Sequence, residues 1–380
     1  MPPLHPPRIA NTPRLRGIID GLPTTIPFVG PETLQRARGG RPFRARLGAN
    51  ENGFGPSPRA FAAIVAAAPH IWRYADPTNF DLIAAIAAHE RVRPEHIVVG
   101  EGIDGLLGLT VHLMADPGTV IVTSDGAYPT FNFHAANHGA RLIKVPYRAD
   151  REDLDALVGT ARAESAAIIY VANPDNPMGS WWPKSDIEAL AARVPPGTLL
   201  CLDEAYIDTL PMAERAVIDP DQPDVIRFRT FSKAYGLAGA RIGYCIGTPS
   251  LVAAFEKVRN HYGINHIGQR AALAAIGDQD YLTTVVARIE RAKERIADIA
   301  RAAGLTPLPS AAGFVAIDCG RDGAFATAIL DGLLSRDVFA RKPSVAPLDR
   351  CIRISAGPDP DLDILADALP DAVADANHTH

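Results

Sequence analysis

Lys233 stands in the run TFSKAYGLAGAR, directly after the hydroxyl of Ser232 and eight residues before the guanidinium of Arg241. Most lysines are solvated surface residues, but the neighbours of this one are small, aromatic or cationic. An amine desolvated near another cation loses basicity, and the neutral amine is the form that attacks a carbonyl. Ser232 and Arg241 suit a phosphate, one as a hydroxyl donor and the other as a two-pronged cation. Asp203 closes the apolar run LLCLD, so it is expected to be buried and to need a partner. That partner could be a helix N-terminus or a basic side chain. Beside a pyridine ring, the same carboxylate would keep the ring nitrogen protonated and make the ring an electron sink.

Other polar clusters also end apolar runs. Asn173–Gly179 (NPDNPMG) closes one, and Asp203–Tyr206 (DEAY) closes the next. In VVGEGIDGLLGL, Gly100 and Gly102 lead from a strand-like run into a helical one, which aims the amides of Ile103 and Asp104 at a crevice. A helix start with small residues is a ready anion site. The spacing is not that of a dinucleotide fingerprint, and no GxxxxGK[ST] run occurs.

The elements that must position these residues alternate along the chain. Helices are expected at Ser57–Pro69, Ile103–Ala115, from near Tyr128, and over KSDIEALAAR. Strands are expected at His96–Gly100, Thr119–Ser124, AAIIYVANP, TLLCLDEAY and DVIRFRT. Short continuous apolar strands between helices indicate a mostly parallel sheet covered on both faces, an α/β fold. Loops at the carboxyl ends of such strands converge on one crevice. From about residue 250 the style changes. A long helix at Gln279–Ala303 repeats Val285, Ile289, Ile296 and Ile299 at helical spacing, and short strands follow at FVAID, VFAR and CIRIS. The expected organisation is an N-terminal arm (1–45) packing with the small domain, a large domain (46–250) and a smaller α+β domain (251–380).

The chain has 380 residues, 47% of them hydrophobic, and a formal net charge of -5. That length buries an ample core, and the acidic balance without a basic tract argues against nucleic acid as a partner. No apolar stretch is long enough to span a membrane. Cys201, Cys245, Cys319 and Cys351 form no CxxC pair, which points to a reducing compartment and a cytoplasmic location, with no metal site. The two-histidine end ANHTH reads as a frayed tail, and Trp181 and Trp182 as packing residues at the start of a helix.

Taken together and in order, NPDNPMG, DEAY and SKAYGLAGARIGY resemble the fold-type I pyridoxal-phosphate aminotransferases. The spacings from Asn176 to Asp203, Lys233 and Arg241 are 27, 30 and 8 residues. LGANENGFGPSP and WRYADP bring the resemblance closest to the histidinol-phosphate aminotransferase branch, over nearly the whole chain. It implies a seven-stranded large-domain sheet and pyridoxal 5′-phosphate carried on Lys233. Tyr128 would stack on the ring, Asn176 and Tyr206 would bond its 3′-oxygen, and Asp203 would pair with its nitrogen. Ser232, Arg241 and the amides of Ile103 and Asp104 would hold the phosphate, joined by Tyr74 from a neighbouring subunit in a homodimer with shared active sites. Asn52, in the gate motif with Asn50 and Glu51, would meet substrate. Arg353 would clamp a substrate carboxylate or phosphate; Arg341 is either a second anion contact or an ordinary surface residue.

The small-molecule partners implied are an amino donor and a 2-oxo acid, used in a ping-pong transamination. Decarboxylase, racemase or amine oxidase chemistry would use the same electron sink, and a non-catalytic regulatory domain would need a DNA-binding extension that the termini lack. Departures from the branch are Phe28 in place of a tyrosine, Ile103 in place of Ser or Ala, Gly105 in place of an acid, and Gly313 in place of Asn. Phe28 and Gly313 fall on the expected substrate side, which favours an ordinary amino acid over histidinol phosphate.

Overall fold

The computed structural model describes residues 15–22 and 29–379; Phe28 and the first part of the arm lie outside them. Twelve strands are described: β1 (Ala45–Arg46), β2 (Ile97–Gly100), β3 (Val120–Ser124), β4 (Arg141–Val145), β5 (Ile168–Ala172), β6 (Leu199–Asp203), β7 (Val225–Thr230), β8 (Gly243–Ile246), β9 (Thr306–Pro307), β10 (Phe314–Asp318), β11 (Val338–Phe339) and β12 (Cys351–Ser355). The large sheet has seven strands in the order β2-β8-β7-β6-β5-β3-β4. Only β8 runs against its neighbours; the remaining pairs are parallel. The carboxyl ends of β2, β3, β5, β6 and β7 therefore share one edge.

Strands β5 and β6 are buried along their whole length, which is why they read as unbroken apolar runs. Helices cover both faces, among them Gly102–Met114 and Pro129–Asn137 on one side and Leu154–Ala163 and Lys184–Ala192 on the other. Ser57 caps the helix Pro58–Ala67 by accepting the Ala60 amide at 3.1 Å. Behind the edge that carries the site, Glu204 is buried between Arg227 and Arg229, at 3.1 and 2.8 Å. Arg229 also reaches Glu90 at 2.6 Å. Burial opposes the charge on Glu204, but the two guanidinium groups more than offset it and its carboxyl stays below the usual range. Asp203 and Glu204 thus occupy opposite sides of the strand end, as successive residues of a strand must.

The smaller α+β domain has the sheet β12-β10-β9, antiparallel throughout. Helices Gln279–Ala302, Gly323–Ser335 and Asp359–Thr379 pack against it, with Val285, Ile289 and Ile296 in its core and Ile299 at the margin. Strand β1 pairs in parallel with β11, and Ala45 and Leu47 are buried in the same core. Arg41 bonds Asp337 at 2.6 Å, so the segment before β1 lies against the small domain.

Three expectations are corrected. The packing changes near 278, not at 250: helix Pro249–Glu256 buries Val252 and Phe255 in the large-domain core, and helix His266–Ile276 buries Ala271, Ala272 and Ile276 against Leu82 and Ile86. Trp181 and Trp182 precede the helix Lys184–Ala192 rather than starting it, because Pro183 is its cap and the Trp182 amide is spent on Asn173 Oδ1 at 2.8 Å. The last helix runs through Asn377 and His378 to Thr379, so the tail is helical. His378 Nδ1 and the Thr379 hydroxyl bond back to Ala374 and Asp375.

Candidate active site

The shared carboxyl edge holds a cavity of about 240 Å³ lined by Ile103, Asp104, Tyr128, Asn176, Asp203, Tyr206, Ser232, Lys233 and Arg241, together with Glu51, Tyr170 and Thr230. Most of these residues follow the carboxyl ends of β2, β3, β5, β6 and β7, which the parallel topology brings together. Tyr128 follows β3 and caps the helix Pro129–Asn137; Asn176 follows β5, Tyr206 follows β6, and Ser232 and Lys233 follow β7.

Lys233 is half-buried, with Nζ 3.3 Å from the Asn50 carbonyl and 5.5 Å from the centre of the Tyr206 ring. Burial lowers its amine to about 8, Arg353 and Arg241 add to that, and Asp203 and Glu51 oppose it. An amine so placed is neutral in part at physiological pH, as a nucleophile and proton carrier must be. Asp203 is 5% exposed. It accepts from the Tyr170 hydroxyl at 2.6 Å and the Ala205 amide at 2.9 Å. Burial raises its carboxyl, and these two bonds and the charge of Lys233 only partly restrain the rise. No cation bonds Asp203 directly among the described residues, so a positive group facing it would be stabilised there. Burial also pushes the Tyr128 hydroxyl up to about 12, with Asp104 adding to it.

One end of the cavity is built for an anion. Helix Gly102–Met114 starts there, Arg241 donates to Ser232 Oγ at 3.4 Å, and the Arg241 guanidinium lies over Gly102. A Cβ on Gly102 would stand 2.7 Å from Arg241 Nη2, and its φ of +77° disfavours a side chain as well. The Ile103 side chain packs into the core, so replacing Ser or Ala there leaves the backbone amide in place. Gly236, at φ +70°, sits so close to Gly55 that a Cβ would be 2.5 Å from its carbonyl.

A second space adjoins the cavity through Asn176, which lines both. Arg353 on β12 is 8% exposed, donates to Asn176 Oδ1 and lies 5.2 Å from the Phe314 ring centre. Its Nε is buried and has no hydrogen-bond partner among the described residues. Burial lowers this guanidinium to about 10, Arg341 adding and Tyr206 opposing; it remains a cation at neutral pH. Arg341 bridges to Arg353 backbone to backbone and donates to the Val29 carbonyl at 2.7 Å. Arg353, Arg341, Lys144 and Lys342 line an adjoining space of about 380 Å³.

One of the expected residues is placed elsewhere. Asn52 does not line the cavity: its Nδ2 donates to the Ala234 carbonyl at 2.9 Å and its Oδ1 accepts the Phe54 amide, bracing the loop next to Lys233. Tyr74 is 79% exposed, against Tyr262 at 4.7 Å between ring centres. Tyr170 went unread in the sequence. A tyrosine inside the aliphatic strand IIYVA must find a partner for its hydroxyl, and that requirement was the available signal.

The chain matches the model of the family "Aminotransferase class I and II" over residues 45–369. It is similar to the structure of histidinol-phosphate aminotransferase from Sinorhizobium meliloti in complex with pyridoxal-5′-phosphate, with 52% identity and a TM-score of 0.92 over 96% of this chain and 99% of that one. Histidinol-phosphate aminotransferase of Roseiflexus castenholzii is 37% identical over 93% of this chain and 97% of its own length. An aromatic amino acid aminotransferase of Thermobifida fusca is 34% identical over 82% and 85%. With its fold, its lysine and its match over most of its length, this chain belongs to the class I and II aminotransferases.

Proposed function

We propose that this chain is a pyridoxal-5′-phosphate-dependent aminotransferase, working by a ping-pong exchange between an amine donor and a 2-oxo acid. The observation that carries the reading is one cavity holding a buried carboxylate in want of a cation, a lysine of lowered basicity and an anion cradle. Bound there, the cofactor supplies an electron sink for the bonds of the substrate Cα. Asp203 would hold the proton on the ring nitrogen, and Ser232, Arg241 and the amides of Ile103 and Asp104 would grip the phosphate. Asn176 and Tyr206 would face the 3′-oxygen and Tyr128 the ring. Lys233 would hold the cofactor through its aldehyde, and its part-neutral amine would carry the proton removed from the substrate Cα. The amine donor alone should bleach the visible absorbance of the lysine-bound cofactor stoichiometrically, and a 2-oxo acid should restore it. Bleaching without restoration would remove transamination.

Arg353 supports an anionic substrate group, and the three further cations lining the adjoining space exceed what one carboxylate needs. With the similarity to histidinol-phosphate aminotransferases, this favours histidinol phosphate as donor. The likeness to an aromatic amino acid enzyme, and the missing hydroxyl at Phe28, favour an aromatic amino acid instead. A kcat/KM for phenylalanine above that for histidinol phosphate would decide for the second. In either case Arg353→Gln should lower kcat/KM by about 10²–10³, the cost of unpairing a buried charged contact, while the visible spectrum stays intact. An unchanged kcat/KM would remove Arg353 from substrate binding.

We further propose a homodimer in the cytoplasm. Ile71, Trp72, Tyr74 and Tyr262 are 57–79% exposed, an apolar group that a second subunit would cover. The four cysteines are free and buried, as suits a reducing compartment. Sedimentation should give twice the 40.5 kDa chain mass, and a monomer that is fully active would refute the shared site.

A further inference from the structure

We propose that Asn50 is a positioning residue that aims the Tyr206 hydroxyl into the cofactor cavity and ties that aim to the strand carrying Arg353. The inference rests on the cofactor reading above. Asn50 is buried and its backbone is left-handed, at φ 54°, a conformation that asparagine tolerates better than most residues. Four bonds converge on it. Its Nδ2 donates to the Tyr206 hydroxyl oxygen at 2.9 Å, and its carbonyl accepts from Lys233 Nζ at 3.3 Å. Its Oδ1 accepts from the Ser355 hydroxyl at 3.1 Å, and its own N–H donates back to Ser355 Oγ at 3.0 Å.

The pair of bonds to one buried serine leaves the Asn50 amide little freedom to turn. With an N–H aimed at its oxygen, Tyr206 has its own proton left to present to another acceptor. That hydroxyl belongs to a residue lining the cavity. Ser355 lies two residues beyond Arg353 on β12, on the same face of the strand. Its amide also bonds the Leu47 carbonyl at 2.7 Å, so residues 47–50 and β12 are joined along their length. The position of Arg353 is thereby linked to the direction of Tyr206.

The chemical consequence falls on the proton of the lysine–cofactor linkage. A hydroxyl donating to the ring oxygen spreads the negative charge of that oxygen and weakens its pull on the neighbouring proton. Without Asn50 the hydroxyl can turn away, and the linkage holds its proton more tightly. The test is a pH titration of the visible absorbance of the holoenzyme. Asn50→Leu should move the transition upward by about one pH unit, a tenfold change in proton affinity. Tyr206→Phe should raise it too, and adding Asn50→Leu to Tyr206→Phe should move it no further, because both act through one hydroxyl. A transition that does not move in Asn50→Leu, or that moves equally in both backgrounds, overturns the proposal. If Asn50→Leu does not fold or load cofactor, Ser355→Ala decides: a smaller upward shift supports the proposal and none overturns it. A wild-type protein that takes up no pyridoxal phosphate would instead refute the cofactor reading itself.

Discussion

Lys233→Ala is expected to lose the visible absorbance of lysine-bound pyridoxal phosphate and to lose turnover by a factor of at least about 10³, within the range that a positioned proton carrier supplies. The variant should still fold, because the Lys233 amine makes a single long bond, to the Asn50 carbonyl. The same residue sets a pH dependence. Burial holds its amine near 8, so in cofactor-free wild-type protein the neutral form, which attacks the aldehyde, increases as pH rises through about 8. Stopped-flow capture of pyridoxal phosphate should accelerate over that window and level off above it. A capture rate flat from pH 7 to 9, or a Lys233→Ala protein that turns over normally, would end the case for this lysine.

Asp203→Asn carries the second large effect. The substitution keeps the shape of the side chain and removes the charge that would stabilise a protonated ring nitrogen. Deleting one member of a buried pair costs about 3–5 kcal/mol, which corresponds to a fall of roughly 10²–10⁴ in the rate of the half-reaction. Cofactor should still bind through Lys233 and the phosphate cradle. Half-reaction rates measured with a single amine donor separate this from a binding defect; a rate within a few-fold of wild type would leave Asp203 as a purely structural acid. Tyr170→Phe should weaken the same function to a smaller degree, since it removes one of two donors that hold the carboxylate in place.

Lys233 and Asp203 are legible in the sequence because chemistry and local structure agree on them: each ends or follows an apolar run at a strand terminus, where a parallel sheet gathers its loops. Strands β5 and β6 are equally plain, since burial on both faces leaves apolar runs. Strand β4, RLIKV, is not legible in the sequence, because an edge strand with only Val145 fully buried carries too weak a pattern. The domain boundary was misplaced for a related reason. Amphipathic helices look alike whichever core they face, and only contacts with Leu82, Ile86 and the large sheet reveal that 249–276 belong to the first domain. Asn50 and Asn52 share one motif, yet one bonds the Tyr206 hydroxyl and the other braces the Lys233 loop. The left-handed backbone at Asn50 is a feature that composition does not announce.

The two halves of the site answer to different parts of the chain. Tyr74 apart, the groups that would grip the cofactor lie along the edge of the large sheet, whereas the arginine that would choose the substrate rides on one short strand of the other body. Selectivity can therefore drift, or be redirected by laboratory evolution of residues 341–353, while the reaction chemistry stays intact. Asn50 sets a limit on that freedom, since any replacement that displaces Ser355 would be felt at the reacting centre.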